Sequence, residues 1–345
     1  MNRVYVLSHT DLDGFLSAGL VEFYWKTIVS NKDDEFKHKS WTYGRNLPSI
    51  DYIKKNYDYV FVVDLCPDTA FMMSLYEHYK DNFIWIDHHS KPDKEFYDIF
   101  KEKYPDKDIK GLRIEQEHSD SAASLVYKFY ELDRDVEDFK KNIPSWLKAC
   151  SDFDCWNKYD EIAWNSIVMP IFSCLKQIIS SPSDAYNYIK SRYDSGNYYD
   201  NIYDASTGNY CNVQTESELE RGKILYEGLL SIYKEEVKHG FERTLSVEMG
   251  GKYEHLKAWI CNTQNRSSVI FEQMDNLEDY DVFIPYHFNG EKYFYSMYTF
   301  KPEISCNDIT VFSSDDWHQS EPLLTFRGHK DAAGANSEIF AFSKS

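Results

Sequence analysis

The chain has 345 residues, 42% of them hydrophobic, 28% charged and 17% aromatic, so it can bury a sizeable core and exceeds the length at which a single core stops growing. Its 38 basic and 57 acidic residues leave a formal charge of −19, which repels a long phosphodiester backbone and argues against a duplex-binding protein. A small anionic substrate remains compatible if metal ions or a local basic patch reverse the field at one site.

No apolar run approaches the roughly 18 to 20 residues that a membrane span requires. The opening Met1–Leu7 turns polar at Ser8-His9-Thr10-Asp11, too soon for a signal peptide. A cytoplasmic location is therefore expected, without membrane partners. The seven cysteines are odd in number and form no Cys-x-x-Cys, so buried thiols are expected rather than a disulfide framework or a zinc ribbon.

In chain order, the first 90 residues alternate apolar runs with helical periods, the pattern of a parallel α/β sheet buried on both faces. Val4–Leu7 leads into His9, Tyr59–Val63 into Asp64, and Phe83–Ile86 into Asp87. Between the first two, Leu16, Gly19, Leu20, Phe23, Tyr24 and Thr27 share one helical face. Asp120–Leu132 reads as a helix capped by Ser119 or Asp120, and another runs from Ser145, after Pro144, toward Cys150. Residues 157–213 are rich in Tyr, Asn and Ser and predict only helices and loops.

Thr215-x-x-Glu218 is a capping box, and the long stretch from it ends at Gly240; this helix is the expected connector. Beyond it, Leu245–Met249, Lys257–Ile260, Asp281–Ile284 and Lys292–Tyr298 are β-type runs, with a turn at Asn289-Gly290. The predicted organisation is an α/β domain over 1–213, a helical connector over 214–240, and a smaller mixed-sheet α/β domain over 241–345.

Each N-terminal strand ends in a side chain able to bind metal, and ligands bind at the carboxyl ends of strands in an open parallel sheet. His9-Thr10-Asp11-Leu12-Asp13-Gly14 occupies the first strand-to-helix turn, Asp64 closes the second strand, and Asp87-His88-His89 closes the third. Imidazole with several carboxylates suits manganese, iron or zinc better than calcium. Crowded acids favour two ions, because like charges left without counter-charge would raise one another's pKa and neutralise.

These residues, followed by an acid in Cys150-Ser151-Asp152-Phe153-Asp154, resemble the four motifs of the DHH phosphoesterase superfamily. Gly328-His329-Lys330-Asp331-Ala332-Ala333-Gly334 resembles the signature of the first class of DHH-associated C-terminal domain. The motifs span residues 9 to 334. The resemblance implies a two-lobed hydrolase with its active site in the cleft between the lobes and two divalent ions, usually manganese, acting on phosphoesters of nucleotides and short oligonucleotides. It implies that His9, Asp11 and Asp64 hold one ion, and that Asp13, Asp64, His88 and Asp152 hold the other. Asp154 is the alternative to Asp152. Such a pair of ions can lower the pKa of a bridging water and stabilise charge on the attacked phosphorus.

The resemblance also makes His89 a contact to the substrate phosphate or leaving group, with Asp87 orienting a neighbouring imidazole. His329 and the backbone near Gly328 would grip a substrate phosphate. Arg327 stands where the family commonly has glycine, either as a phosphate clamp or as a sign of looser backbone approach. The overall likeness is to the nanoRNase and 3′-phosphoadenosine phosphatase branch, so the expected substrates are short oligonucleotides or small nucleotides, not long duplexes. A homodimer is among the expected assemblies. Cyclic dinucleotides are an alternative substrate, and a metal-free nucleotide-binding protein is the alternative of another class.

Overall fold

The computed structural model describes residues 1–29, 33–111, 120–131, 142–198, 202–204, 209–211, 217–263, 268–307, 309–313, 322–328 and 332–342, without the side chains of 90–93, 131, 142, 202, 204 and 328. The chain divides into two compact units, Met1–Tyr226 and Glu227–Ser345. No single helix among the described residues is long and apolar enough to cross a membrane. The cysteines there are free thiols, all buried except the partly exposed Cys211.

The first unit is built on β1 (Arg3–Ser8), β2 (Glu35–Ser40), β3 (Tyr59–Val63) and β4 (Phe83–Ile86), parallel throughout in the order β2-β1-β3-β4. Three of these strands match the expected apolar runs. β2 (EFKHKS) does not read as a strand because it is a half-exposed edge whose lysines discourage further pairing. Successive residues of a strand point to opposite faces, so β1, β3 and β4 each feed two cores. Val4, Val6, Phe61, Val63, Ile84 and Ile86 face α1 (Leu12–Tyr24) and its neighbours. Tyr5, Leu7, Val60, Val62, Phe83 and Trp85 face the opposite layer with α2 (Ile50–Asn56), α3 (Thr69–Tyr79) and α4 (Ser90–Lys103). Burying such an aliphatic or aromatic side chain contributes about 1.5–3 kcal/mol.

The α1 layer continues with α5 (Ala122–Glu131), α6 (Ser145–Asp154), α7 (Glu161–Ala163), α8 (Met169–Ile178) and α9 (Pro182–Asp194). β5 (Asn142–Pro144), β6 (Ile202–Asp204) and β7 (Asn209–Cys211) form a three-stranded antiparallel sheet, of which β6 and β7 lie among residues for which the sequence predicts only helices and loops. The order β2-β1-β3-β4 means that the chain first moves to one side of β1 and then to the other. The reversal leaves a crevice at the carboxyl ends of β1 and β3, where His9 and Asp64 emerge.

α10 (Ser217–Lys238) carries the division between the units, which falls after Tyr226. The second unit is a closed seven-stranded barrel: β8 (Phe241–Met249), β9 (Lys252–Asn262), β10 (Val282–Phe288), β11 (Tyr293–Tyr298), β12 (Ile309–Phe312), β13 (Pro322–Gly328) and β14 (Ala332–Ser337). The expected mixed sheet is present, with β9 and β10 parallel and the other neighbours antiparallel. Beyond α10, the described helical segments of this unit are only 3₁₀ turns at Ser268–Gln273 and Leu277–Asp279.

Candidate active site

His9 follows β1 directly, and Asp11 caps α1 by accepting a hydrogen bond from the Gly14 amide at 3.0 Å. A Cβ on Gly14 would lie 2.6 Å from the His9 carbonyl oxygen, so only glycine lets the helix start this close to the strand end. The His9 Nδ1 contacts Asp11 Oδ2 and stands 3.9 Å from Asp64 Oδ2.

Asp64 follows β3 directly with φ of 59°, a left-handed conformation that Asp tolerates better than most residues. Its amide donates to the Ile86 carbonyl at 3.0 Å, tying the turn to the end of β4. The carboxylate is buried, with Oδ1 3.3 Å from His88 Nε2. Its Oδ2 is buried without a hydrogen-bond partner among the described residues. Burial, and then the charges of Asp11, Asp13, Asp154 and Asp87, push this carboxyl well above its usual range. A buried acceptor without a donor, amid four acids and an imidazole, is a setting that a cation would complete.

His88 Nε2 is equally 3.3 Å from Asp154 Oδ2, while its Nδ1 lies 4.0 Å from the buried thiol of Cys155. Asp87, fully buried, accepts from the His88 amide at 2.8 Å and from His89 Nδ1 at 2.8 Å. Burial disfavours the charged form of His89, but the Asp87 carboxylate outweighs it and raises the imidazole above its usual value. Three overlapping sets of donors therefore come within metal-binding reach of one another: His9, Asp11 and Asp64; Asp64, Asp87, His88 and His89; and His88, Asp154 and Cys155.

Asp13 lies beside these sets and in none of them. Its two oxygens accept from the amides of Ala122 and Ala123 at 2.8 and 3.1 Å, so α1 supplies the anion that caps α5. Burial raises its carboxyl to about 6, against hydrogen bonds from Ser121 and those amides. Locally, Ser121 Oγ accepts from the Ser124 amide at 3.4 Å, while Asp120, one of the two expected caps, accepts from the Lys128 ammonium at 2.6 Å; Ser119 lies outside the described residues.

Asp152, the acid preferred from the sequence, is turned away from the imidazoles. It contacts the Lys148 ammonium, accepts from the Tyr210 hydroxyl at 2.8 Å, and lies 3.4 Å from Asn157 Nδ2. The reason is helical geometry. α6 runs on to Asp154 instead of ending near Cys150, so two residues of separation place the two acids on nearly opposite faces. Asp154 is the acid that reaches His88.

Arg327 is exposed on β13 and is paired in register with Gly334, and Gly328 ends that strand. His329 and Lys330 lie outside the described residues. Cys155 lies at the fourth motif but reads from the sequence only as a buried thiol, and Tyr43 belongs to no motif; the fold brings both beside the site. A hollow of about 560 Å³ between Leu47–Ile50 and the start of α3 is lined by none of the site's side chains.

No family model matches the chain, and no curated protein matches it either. Among solved structures, it is similar to the exonuclease RecJ bound to manganese, at 13% identity and a TM-score of 0.49, covering 97% of this chain and 85% of that one. A pGpG-specific phosphodiesterase from Vibrio cholerae aligns at 11% identity and a TM-score of 0.42, covering 98% and 94%. An exopolyphosphatase-related protein from Bacteroides fragilis aligns at 11% and 0.39, covering 99% and 88%. At these levels of similarity, the functional reading rests on the chain's own residues.

Proposed function

We propose that this chain is a metal-dependent phosphoesterase of the DHH type that hydrolyses short oligonucleotides or small nucleotides. The observation that carries this reading is the buried Asp64 carboxylate, with one oxygen beside His88 and the other lacking a hydrogen-bond donor among the described residues. Asp11 and Asp154 flank it, with Asp154 the acid facing His88. The mixed imidazole and carboxylate donors fit divalent ions such as manganese.

His9, Asp11 and Asp64 would hold one ion, and Asp64, His88 and Asp154 a second, with Asp13 close by. Bound there, the ions would supply Lewis-acid charge and make water a competent nucleophile at neutral pH. His89, held by Asp87 and shifted toward its protonated form, would give a proton to the leaving-group oxygen as the oxygen of water bonds to phosphorus and the P–O bond to that leaving group breaks. Asp87 fixes the direction of that imidazole by accepting from its Nδ1. Arg327, Gly328 and His329 keep the phosphate-contacting role that the resemblance implies. A substrate with few phosphates suits a chain of charge −19 better than a long polymer does.

The test is a chromatographic assay of purified protein with manganese against RNA and DNA of two to five nucleotides, cyclic dinucleotides and adenosine 3′,5′-bisphosphate. Manganese-dependent release of mononucleotides or phosphate supports the reading. Stable substrates throughout the panel, with or without metal, contradict it.

A further inference from the structure

We propose that Tyr43 is the surface on which a nucleobase of the substrate stacks, an inference that rests on the phosphoesterase reading above. Tyr43 belongs to Trp41-Thr42-Tyr43-Gly44-Arg45, which follows β2. The Trp41 amide donates to the Ser8 carbonyl at 2.8 Å, so this segment leaves the sheet beside the end of β1, where His9 stands.

The segment is closed on itself. The buried Trp41 donates its indole N–H to the Arg45 carbonyl at 3.0 Å, and Gly44 takes φ of 82°. The Tyr43 hydroxyl is held at both ends of its hydrogen-bonding capacity. It accepts from the Cys66 amide at 3.2 Å and donates to the Cys66 carbonyl at 3.3 Å, two residues beyond Asp64. The ring meets Trp41 edge to face, with centroids 5.1 Å apart, and its centroid is 6.2 Å from that of His9.

Despite these fixings, Tyr43 remains 49% exposed. A large aromatic side chain pinned by its hydroxyl in a residue this exposed is already ordered for binding, so a partner ring loses little additional freedom there. Stacking also needs no positive charge, which suits a strongly acidic protein. The distance to His9 is within the reach of one nucleoside, so a base on Tyr43 can carry its phosphate to the His9 and Asp64 carboxyl ends of the sheet. Tyr43 would thus favour nucleotides over base-free phosphoesters without choosing strongly among bases.

The experiment measures calorimetric binding, with manganese present, of a hydrolysis-resistant, phosphorothioate-linked 5′-phosphorylated adenosine dinucleotide and of its equally linked abasic analogue. Wild type, Tyr43→Ala, Tyr43→Leu and Tyr43→Phe are compared, with circular dichroism as the fold control. Base stacking predicts that Tyr43→Ala weakens the normal dinucleotide by about 5- to 150-fold, that Tyr43→Leu also weakens it, and that Tyr43→Phe, which keeps the ring but loses the hydroxyl anchor, binds more tightly than Tyr43→Leu and no better than wild type. Binding of the abasic analogue should be the same in all folded variants. Should Tyr43→Ala misfold, Tyr43→Leu against Tyr43→Phe decides the matter. Equal binding of the normal dinucleotide by wild type and the ring-less variants, equal losses for both ligands, or no binding by wild type overturns the stacking role. Turnover is followed separately: a wild type that binds through Tyr43 but never hydrolyses contradicts the phosphoesterase reading and leaves the platform standing.

Discussion

His88 Nε2 stands 3.3 Å from Asp154 Oδ2, and this contact distinguishes two acids that lie only two residues apart on α6. Asp152 faces Lys148 and Tyr210 instead. Asp154→Asn is expected to weaken manganese binding and to lower kcat/KM by about 100-fold or more, with the fold retained. Asp152→Asn is expected to keep manganese affinity while losing about 1.5–3 kcal/mol of stability, because it removes a charged partner of Lys148. Calorimetric titration and urea unfolding of both variants separate the two roles.

A second prediction concerns the approach of α1 to β1. Gly14→Ala places a methyl group 2.6 Å from the His9 carbonyl oxygen, and rigid backbone on both sides must then part. A loss of about 1–3 kcal/mol is expected, together with displaced His9 and reduced activity. Gly228→Ala in α10 is the control, since nothing lies within 4 Å of the added group, and it should gain about 0.5–1 kcal/mol. Thermal unfolding and activity of the two variants provide the comparison.

The Asp87–His89 pair sets a pH dependence. Asp87 holds the His89 imidazole above its usual pKa, so the protonated form persists to higher pH than in an isolated histidine. Asp87→Asn removes that charge, the imidazole pKa falls, and the protonated form is lost earlier as pH rises. The basic limb of the kcat/KM profile should therefore move to lower pH in Asp87→Asn. An unmoved limb indicates that His89 does not act as the protonated donor.

The fourth prediction separates phosphate contact from metal binding. His329→Ala is expected to leave manganese affinity unchanged and to raise KM, lower kcat, or both. Arg327→Ala, if the guanidinium clamps phosphate, should behave alike at a cost of about 1.5–3 kcal/mol in transition-state stabilisation. Manganese titration beside steady-state kinetics decides both.

The sequence makes the sheet legible wherever a strand is buried on both faces, because Tyr59–Val63 and Phe83–Ile86 then read as unbroken apolar runs. β2 escapes for the opposite reason: an edge strand of alternating exposed charge carries no such run. The side chains at strand ends that are able to bind metal are legible because chain order places them just after apolar runs. Which of Asp152 and Asp154 faces His88 is not, since it depends on how far α6 continues and on Lys148 and Tyr210 engaging Asp152. The Asp13 cap on α5 is equally hidden, joining residues more than one hundred positions apart. The closure of the second sheet into a barrel depends on the pairing of β9 with β10, a non-local contact that local pattern does not specify.

The central claim is that ions sit where Asp64 lies between His9 and His88, and anomalous diffraction from crystals soaked in manganese tests it most directly. Two anomalous peaks are expected, one contacting His9, Asp11 and Asp64 and the other contacting Asp64, His88 and Asp154. The absence of peaks at this cluster in a fully soaked crystal, or a peak held by Asp152 with Asp64 uninvolved, would contradict the account.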